Sequence, residues 1–143
     1  MRIRSLNHSR YQHEYHIVWC TKYKRKFLQD YVKPVLIAWL FDIVKKYPTL
    51  YIKTVNTDID HIHLQIEIPP DVAVSSVVQK LKMITSIKLR NRYPFIKNMY
   101  LDGNIWSVGY FSSTIGLNEA VIARYIENQG KEDISEDATA EFS

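Results

Sequence analysis

Hydrophobic positions along the 143-residue chain follow two rhythms, one alternating and one with the period of a helix. Tyr15 to Thr21 (YHIVWCT) is dense in β-branched and aromatic residues and predicts a strand. Between Tyr31 and Tyr47, apolar residues at Val32, Val35, Leu36, Trp39, Leu40, Ile43 and Val44 line one helical face, and Pro48 closes the helix. Leu50 to Thr57 (LYIKTVNT) and Ile59 to Ile68 (IDHIHLQIEI) predict two more strands around a short turn near Asp58, with Pro69 and Pro70 ending the second. A second amphipathic helix presents Val74, Val77, Val78, Leu81 and Ile84 on one face, with Ser75 or Ser76 near its start. Ile105 to Ile115 (IWSVGYFSSTI) predicts a fourth strand ended by Gly116, and Asn118 is placed to cap a last helix running to about Gln129.

The order strand, helix, strand, strand, helix, strand, helix describes two split βαβ units. The predicted fold class is α+β, a ferredoxin-like or RRM-like antiparallel sheet with helices packed on it and a further C-terminal helix. That fold hosts enzymes, RNA binders and regulatory domains alike, so function must be argued from a site.

Composition adds three points. An apolar share of 46% is enough for a core, and the length suits one domain, residues 1–129, followed by an acidic segment, 130–143, predicted to be disordered. The net charge of +4 is the sum of a basic body and that segment, where Glu132, Asp133, Glu136, Asp137 and Glu141 face Lys131 alone. The basic residues early in the chain favour a polyanionic partner, although a solubilising surface explains charge alone equally well. No run of 18 apolar residues predicts a membrane span, no apolar run after Met1 predicts a signal peptide, and Cys20 is a lone cysteine; a cytoplasmic location is expected.

The candidate chemistry lies on the third strand. Side chains two apart project to the same face about 7 Å apart. Asp60, Ile62, Leu64, Ile66 and Ile68 therefore share a mostly apolar face turned to the core, while Ile59, His61, His63, Gln65 and Glu67 share the other. Two imidazoles held at fixed spacing can present nitrogens to one cation, yet His-x-His also occurs as a plain surface pair. A catalytic metal needs a third ligand and an open position. In the last helix Tyr125 and Gln129, four apart, stack on one face, so an amide oxygen and a phenol can stand side by side. Tyr125 read alone, one of ten tyrosines, is first an amphipathic residue anchoring a terminal helix. His16 alternates with apolar neighbours and reads as a sheet residue rather than a ligand.

Four segments in order resemble the single-tyrosine HUH transposases, the small TnpA enzymes of bacterial and archaeal insertion sequences that move as single-stranded DNA. They are YHIVWCTKYKRKFL (Tyr15 to Leu28), DHIHLQIEIPP (Asp60 to Pro70), IWSVGYFSSTIG (Ile105 to Gly116) and YIENQ (Tyr125 to Gln129). The resemblance implies that His61, His63 and Gln129 hold Mg²⁺ or Mn²⁺ and that Tyr125 is the nucleophile. It further implies cleavage and rejoining of single-stranded DNA at hairpin-marked ends through a 5′-phosphotyrosine, by a homodimer whose active sites are shared between subunits.

On this reading Arg10, Lys22, Lys24, Arg25 and Lys26, with Lys88, Arg90 and Arg92, are candidates for gripping the DNA backbone. Tyr15, Tyr23, Tyr93 and Trp106 are candidates for stacking on bases, and Trp39 and Phe41 for the core or an interface. Two alternatives stand beside it. One is a domesticated relative that nicks repeated genomic palindromes. The other is a non-enzymatic nucleic-acid binder, against which the chain offers no match to the RNP pattern of RNA-binding sheets.

Overall fold

A computed structural model of the chain describes residues 13–114 and 118–142, with side chains described as far as Ile134. The elements are β1 (Glu14–Cys20), a single 3-10 turn (Lys22–Lys24), α1 (Lys33–Lys45), β2 (Tyr51–Thr57), β3 (His61–Glu67), α2 (Val74–Arg92), α3 (Pro94–Met99), β4 (Phe111–Ser113) and α4 (Glu119–Phe142). The four strands form one sheet in the order β2-β3-β1-β4 with every neighbouring pair antiparallel. This is the ferredoxin-like arrangement that the pattern predicted.

The sheet has one apolar face. Ile17 and Trp19 of β1, Ile52 of β2, and Ile62, Leu64 and Ile66 of β3 are buried against Leu36, Leu40, Ile43 and Val44 of α1 and Val77, Val78, Leu81 and Leu89 of α2. Alternation on β3 is complete: Ile62, Leu64 and Ile66 have no exposure, while His61, His63, Gln65 and Glu67 are half-buried on the other side. Asp60 departs from the predicted alternation. It precedes the strand, and its carboxylate turns to His61 instead of facing the core.

Helix boundaries follow local chemistry. Pro34 stands in the first turn of α1, where a missing N–H costs nothing. α2 starts at Ala73 with no side-chain cap, so neither Ser75 nor Ser76 acts as one. Pro94 opens α3, a short helix that the sequence pattern did not indicate.

Two predictions need correction. The fourth strand covers only Phe111–Ser113; upstream, Trp106 forms an isolated bridge with Thr21, and Gly109 takes φ +89°, a turn that breaks the ladder. Gly116 lies outside the described residues. The last helix does not stop near Gln129 but continues to Phe142, so α4 takes in the acidic residues from Gly130 to Phe142. Asn118 caps α4 as expected, accepting the Val121 N–H at 2.9 Å.

Candidate active site

The second face of the sheet is polar and carries the site. Strand register puts Val18 opposite His63 and Cys20 opposite His61, with His16 opposite Gln65. On the outer side of β1, Phe111 of β4 stands opposite Val18. Phe111, Val18 and His63 thus form a row across three strands, roughly 10 Å from end to end at the usual strand spacing.

α4 packs over this face against β1 and the Lys22–Lys24 turn of its own chain. Its inward stripe is Ile122, Tyr125, Ile126, Gln129, Gly130 and Asp133, with the three- and four-residue steps of a helix. This cover explains why Val18 and Cys20, on the polar side of the sheet, have no exposure. Tyr125 rests on Phe111 with ring centroids 5.7 Å apart. Its hydroxyl is buried with no hydrogen-bond partner among the described residues. Burial, reinforced by Cys20, Glu132 and Asp133, pushes the phenol well above the ordinary tyrosine range.

Each histidine has a distinct environment. His61 Nδ1 lies 2.8 Å from Asp60 Oδ1, and this bond holds the Asp60 carboxyl below the usual carboxylate range. A carboxylate on Nδ1 fixes the tautomer with the lone pair on Nε2, as second partners of metal-binding histidines do. His63 Nε2 is buried with no partner among the described residues, and its ring lies 5.8 Å from that of His16. Burial first, then the neighbouring His16 and His61, lower the affinity of His63 for a proton. A neutral imidazole is the form that binds metal.

Gln129 is 5% exposed, and its Nε2 lies 3.4 Å from Asp133 Oδ1, leaving the amide oxygen as the ligating atom on offer. Among the described residues no three His, Cys, Asp or Glu side chains converge as a metal-binding group. For a cation held at His61 and His63, the Gln129 amide oxygen is a donor of another kind on offer. The free Nε2 of His63, the oriented His61 and this amide oxygen fit a divalent cation that accepts mixed nitrogen and oxygen donors.

The expected phosphate contacts divide into two groups. Arg25 and Lys26 are exposed at the turn beneath α4, and Lys24 is half-buried there. Lys22 is buried at 7% exposure, its ammonium 5.6 Å from the Tyr23 ring centroid, so it is not a surface cation. Lys88 and Arg92 are exposed near the end of α2, with Arg90 half-buried between them. Arg10 lies outside the described residues. Of the proposed stacking residues, Tyr93 and Trp106 are buried in the core, which corrects that expectation. Tyr15 and Tyr23 are half-buried against the core; Trp39 packs there as expected, while Phe41 is 38% exposed.

Sequence reading missed Asp133 and Ser107. Asp133 is completely buried; it accepts the Tyr23 N–H at 2.9 Å and the Ser107 hydroxyl at 2.6 Å. An aspartate in an acidic run reads as solvated surface, and only its place on the Tyr125–Gln129 face of the helix hinted otherwise.

A ferredoxin-like sheet with a histidine pair on its polar face, covered by a tyrosine-bearing helix, defines the class of HUH single-stranded DNA transposases. Residues 9–129 match the family model for IS200-like transposases, so the chain belongs to that family. It is 33% identical over 130 residues to the transposase of insertion sequence element IS200 from Salmonella typhimurium, covering 91% of this chain and 85% of that protein. It is 34% identical over 120 residues to the ISDra2 transposase TnpA of Deinococcus radiodurans, covering 83% of this chain and 85% of the relative. A Deinococcus radiodurans crystal structure described as a candidate transposase superposes with a TM-score of 0.74 at 30% identity, covering 83% of this chain and 92% of that one. A REP-associated tyrosine transposase bound to a REP hairpin shares the fold, with a TM-score of 0.52 at 16% identity, over 79% of this chain and 62% of that one.

Proposed function

We propose that this chain cleaves and rejoins single-stranded DNA at hairpin-marked ends with Tyr125 as nucleophile and His61, His63 and Gln129 as the metal-holding set. The observation that carries the reading is that the Tyr125 hydroxyl and His63 Nε2 are both buried without hydrogen-bond partners among the described residues of a family domain. Buried polar atoms without partners are uncommon, and at a catalytic site each is a vacancy for substrate or cofactor.

In the forward step the Tyr125 oxygen bonds to the scissile phosphorus as the bond to the 3′ oxygen breaks. The phenol gives up its proton and the departing 3′ oxygen acquires one, leaving a 5′-phosphotyrosine and a free 3′-OH. A bound Mg²⁺ or Mn²⁺ supplies neutralisation of the charge that develops on the phosphate and favours the phenolate. His61, bonded to Asp60, and His63, whose Nε2 has no partner among the described residues, would contribute nitrogen donors, and Gln129 would contribute an oxygen from the nucleophile's own helix. The covalent link conserves the phosphodiester bond energy, so attack by another 3′-OH reverses the step and joins new ends. Lys24, Arg25 and Lys26 beside the helix, with Lys88, Arg90 and Arg92, suit the backbone of the strand.

The experiment is to incubate the protein with Mn²⁺ or Mg²⁺ and single-stranded hairpin DNA and to look for an adduct that survives denaturation. Tyr125→Phe should form none; an undiminished adduct in that variant overturns the assignment. The family resemblance also implies a homodimer. Mixing Tyr125→Phe with His63→Ala subunits tests whether sites are shared: recovered activity requires a helix from one subunit over the sheet of the other, and a dead mixture supports the self-docked helix seen in the single chain.

A further inference from the structure

We infer that Asp133 is the positioning residue for the nucleophile helix, latching α4 to the basic turn and holding Gln129 in place. The inference rests on Tyr125 being the nucleophile, and it concerns what sets that residue's position.

Three observations converge two helical turns beyond Tyr125. First, the Asp133 carboxylate binds two segments that meet only in the folded chain, the Tyr23 N–H of the turn and the Ser107 hydroxyl of the stretch before β4. Ser107 itself is tied to β1 and the residue after it, its N–H donating to the Cys20 carbonyl at 2.9 Å and its hydroxyl lying 3.1 Å from the Thr21 carbonyl. Second, Tyr23 and Lys24 take φ values of 59° and 54°, the left-handed region that costs a non-glycine residue about 1 kcal/mol or more. That conformation presents the Tyr23 N–H to the carboxylate. Third, Gly130 lies where α4 crosses the turn: a Cβ there would stand 2.6 Å from Lys24 Cδ. The helix therefore sits directly on the Lys24 side chain, with the carboxylate three residues on beside the turn.

The same carboxylate also faces the Gln129 amide nitrogen, one helical turn earlier. One buried anion thus registers the helix along its seat and directs the proposed ligand. It also joins the helix to Lys22–Lys26, the cationic run proposed to hold DNA. A buried carboxylate is costly to leave partnerless, so freeing α4 from its seat carries the penalty of exposing or orphaning Asp133.

The test combines hydrogen exchange of the DNA-free protein with single-turnover adduct formation. Asp133→Ala is expected to speed exchange across α4 at least about tenfold while β1 and β3 stay protected. It should slow adduct formation at least about tenfold at saturating hairpin DNA, with hairpin affinity within about threefold of the parent. Asp133→Asn and Ser107→Ala each keep part of the network and should give smaller effects in the same direction. Unchanged α4 exchange in all three variants overturns the inference. If Asp133→Ala loses protection throughout the sheet, the milder pair decides: faster exchange confined to α4 and the turn supports the latch, and a uniform or absent change overturns it. The exchange arm reads the latch without catalysis. Absence of any adduct in the parent protein would therefore refute the proposed function and leave the latch result standing.

Discussion

The two faces of β3 carry adjacent residues in opposite regimes. Ile62, Leu64 and Ile66 point into a closed apolar layer under α1 and α2 and have no exposure. His61 and His63, each one residue away, point to the polar face, and His63 Nε2, His16 Nδ1 and the Tyr125 hydroxyl are buried without partners among the described residues. The apolar face gains stability from dehydration and close packing. The other side carries strained backbone at Tyr23 and Lys24 and most of the buried polar atoms without partners among the described residues, Trp19 Nε1 being one such atom on the apolar face. The packed core and the proposed site are separated by the pleat of a single strand.

The largest expected effect that separates the faces is at Tyr125. Tyr125→Phe should lower adduct formation to below about one thousandth of the parent level while leaving the melting temperature unchanged or raised, because the hydroxyl removed has no partner to lose. A clear fall in melting temperature would mean the hydroxyl is bonded in the folded protein.

Next comes a paired substitution on β3. Leu64→Ala should cost about 2–5 kcal/mol in denaturant unfolding. His63→Ala, its neighbour, should change stability by less than about 1 kcal/mol yet reduce cleavage roughly a hundredfold or more. Equal stability losses would erase the distinction between faces.

A smaller effect is expected at the start of the tyrosine helix. Asn118→Ala removes the cap on the Val121 N–H and should cost about 1 kcal/mol, read as faster hydrogen exchange in the first turn of α4.

The last effect is one of pH dependence and concerns Lys82, whose ammonium donates to the Ser107 and Gly109 carbonyls at 2.6 and 2.9 Å. Burial pushes its pKa down to about 8 from the model-compound value of 10.5, against the opposing pull of Cys20 and Asp133. Between those values the unfolded chain binds the proton and the folded chain does not, so Lys82 makes stability rise with pH across that window and fall again as pH drops through about 8. The difference in unfolding free energy between parent and Lys82→Met should follow that sign from pH 8 to 10.5; a flat difference would mean that the ammonium is solvated.

How far the sequence was legible varied by element. α1 and the first three strands were readable to within a few residues because each buries a continuous apolar stripe, and local periodicity reports burial directly. The fourth strand was read too long. Ile105, Trp106 and Ser107 are buried like strand residues, but Gly109 turns the chain before β4 begins. α4 was read too short because composition averages a helix's faces: Lys131, Glu132 and Ile134 are exposed while Asp133, between them, is sealed. The partner that seals it, Tyr23, is 110 residues away in the chain.

By itself the sequence determined the sheet, the face on which His61 and His63 project, the pairing of Tyr125 with Gln129 and the family. All of these follow from short-range spacing and ordered motifs. Only the tertiary structure decided that α4 lies over β1 and the basic turn, that Lys22, Tyr93 and Trp106 are buried, and that Asp133 is sealed with Tyr23 and Ser107 as its donors. The physical reason is range. Periodicity reports which side of an element is dry, whereas a buried carboxylate is explained only by donors that folding brings to it from distant parts of the chain.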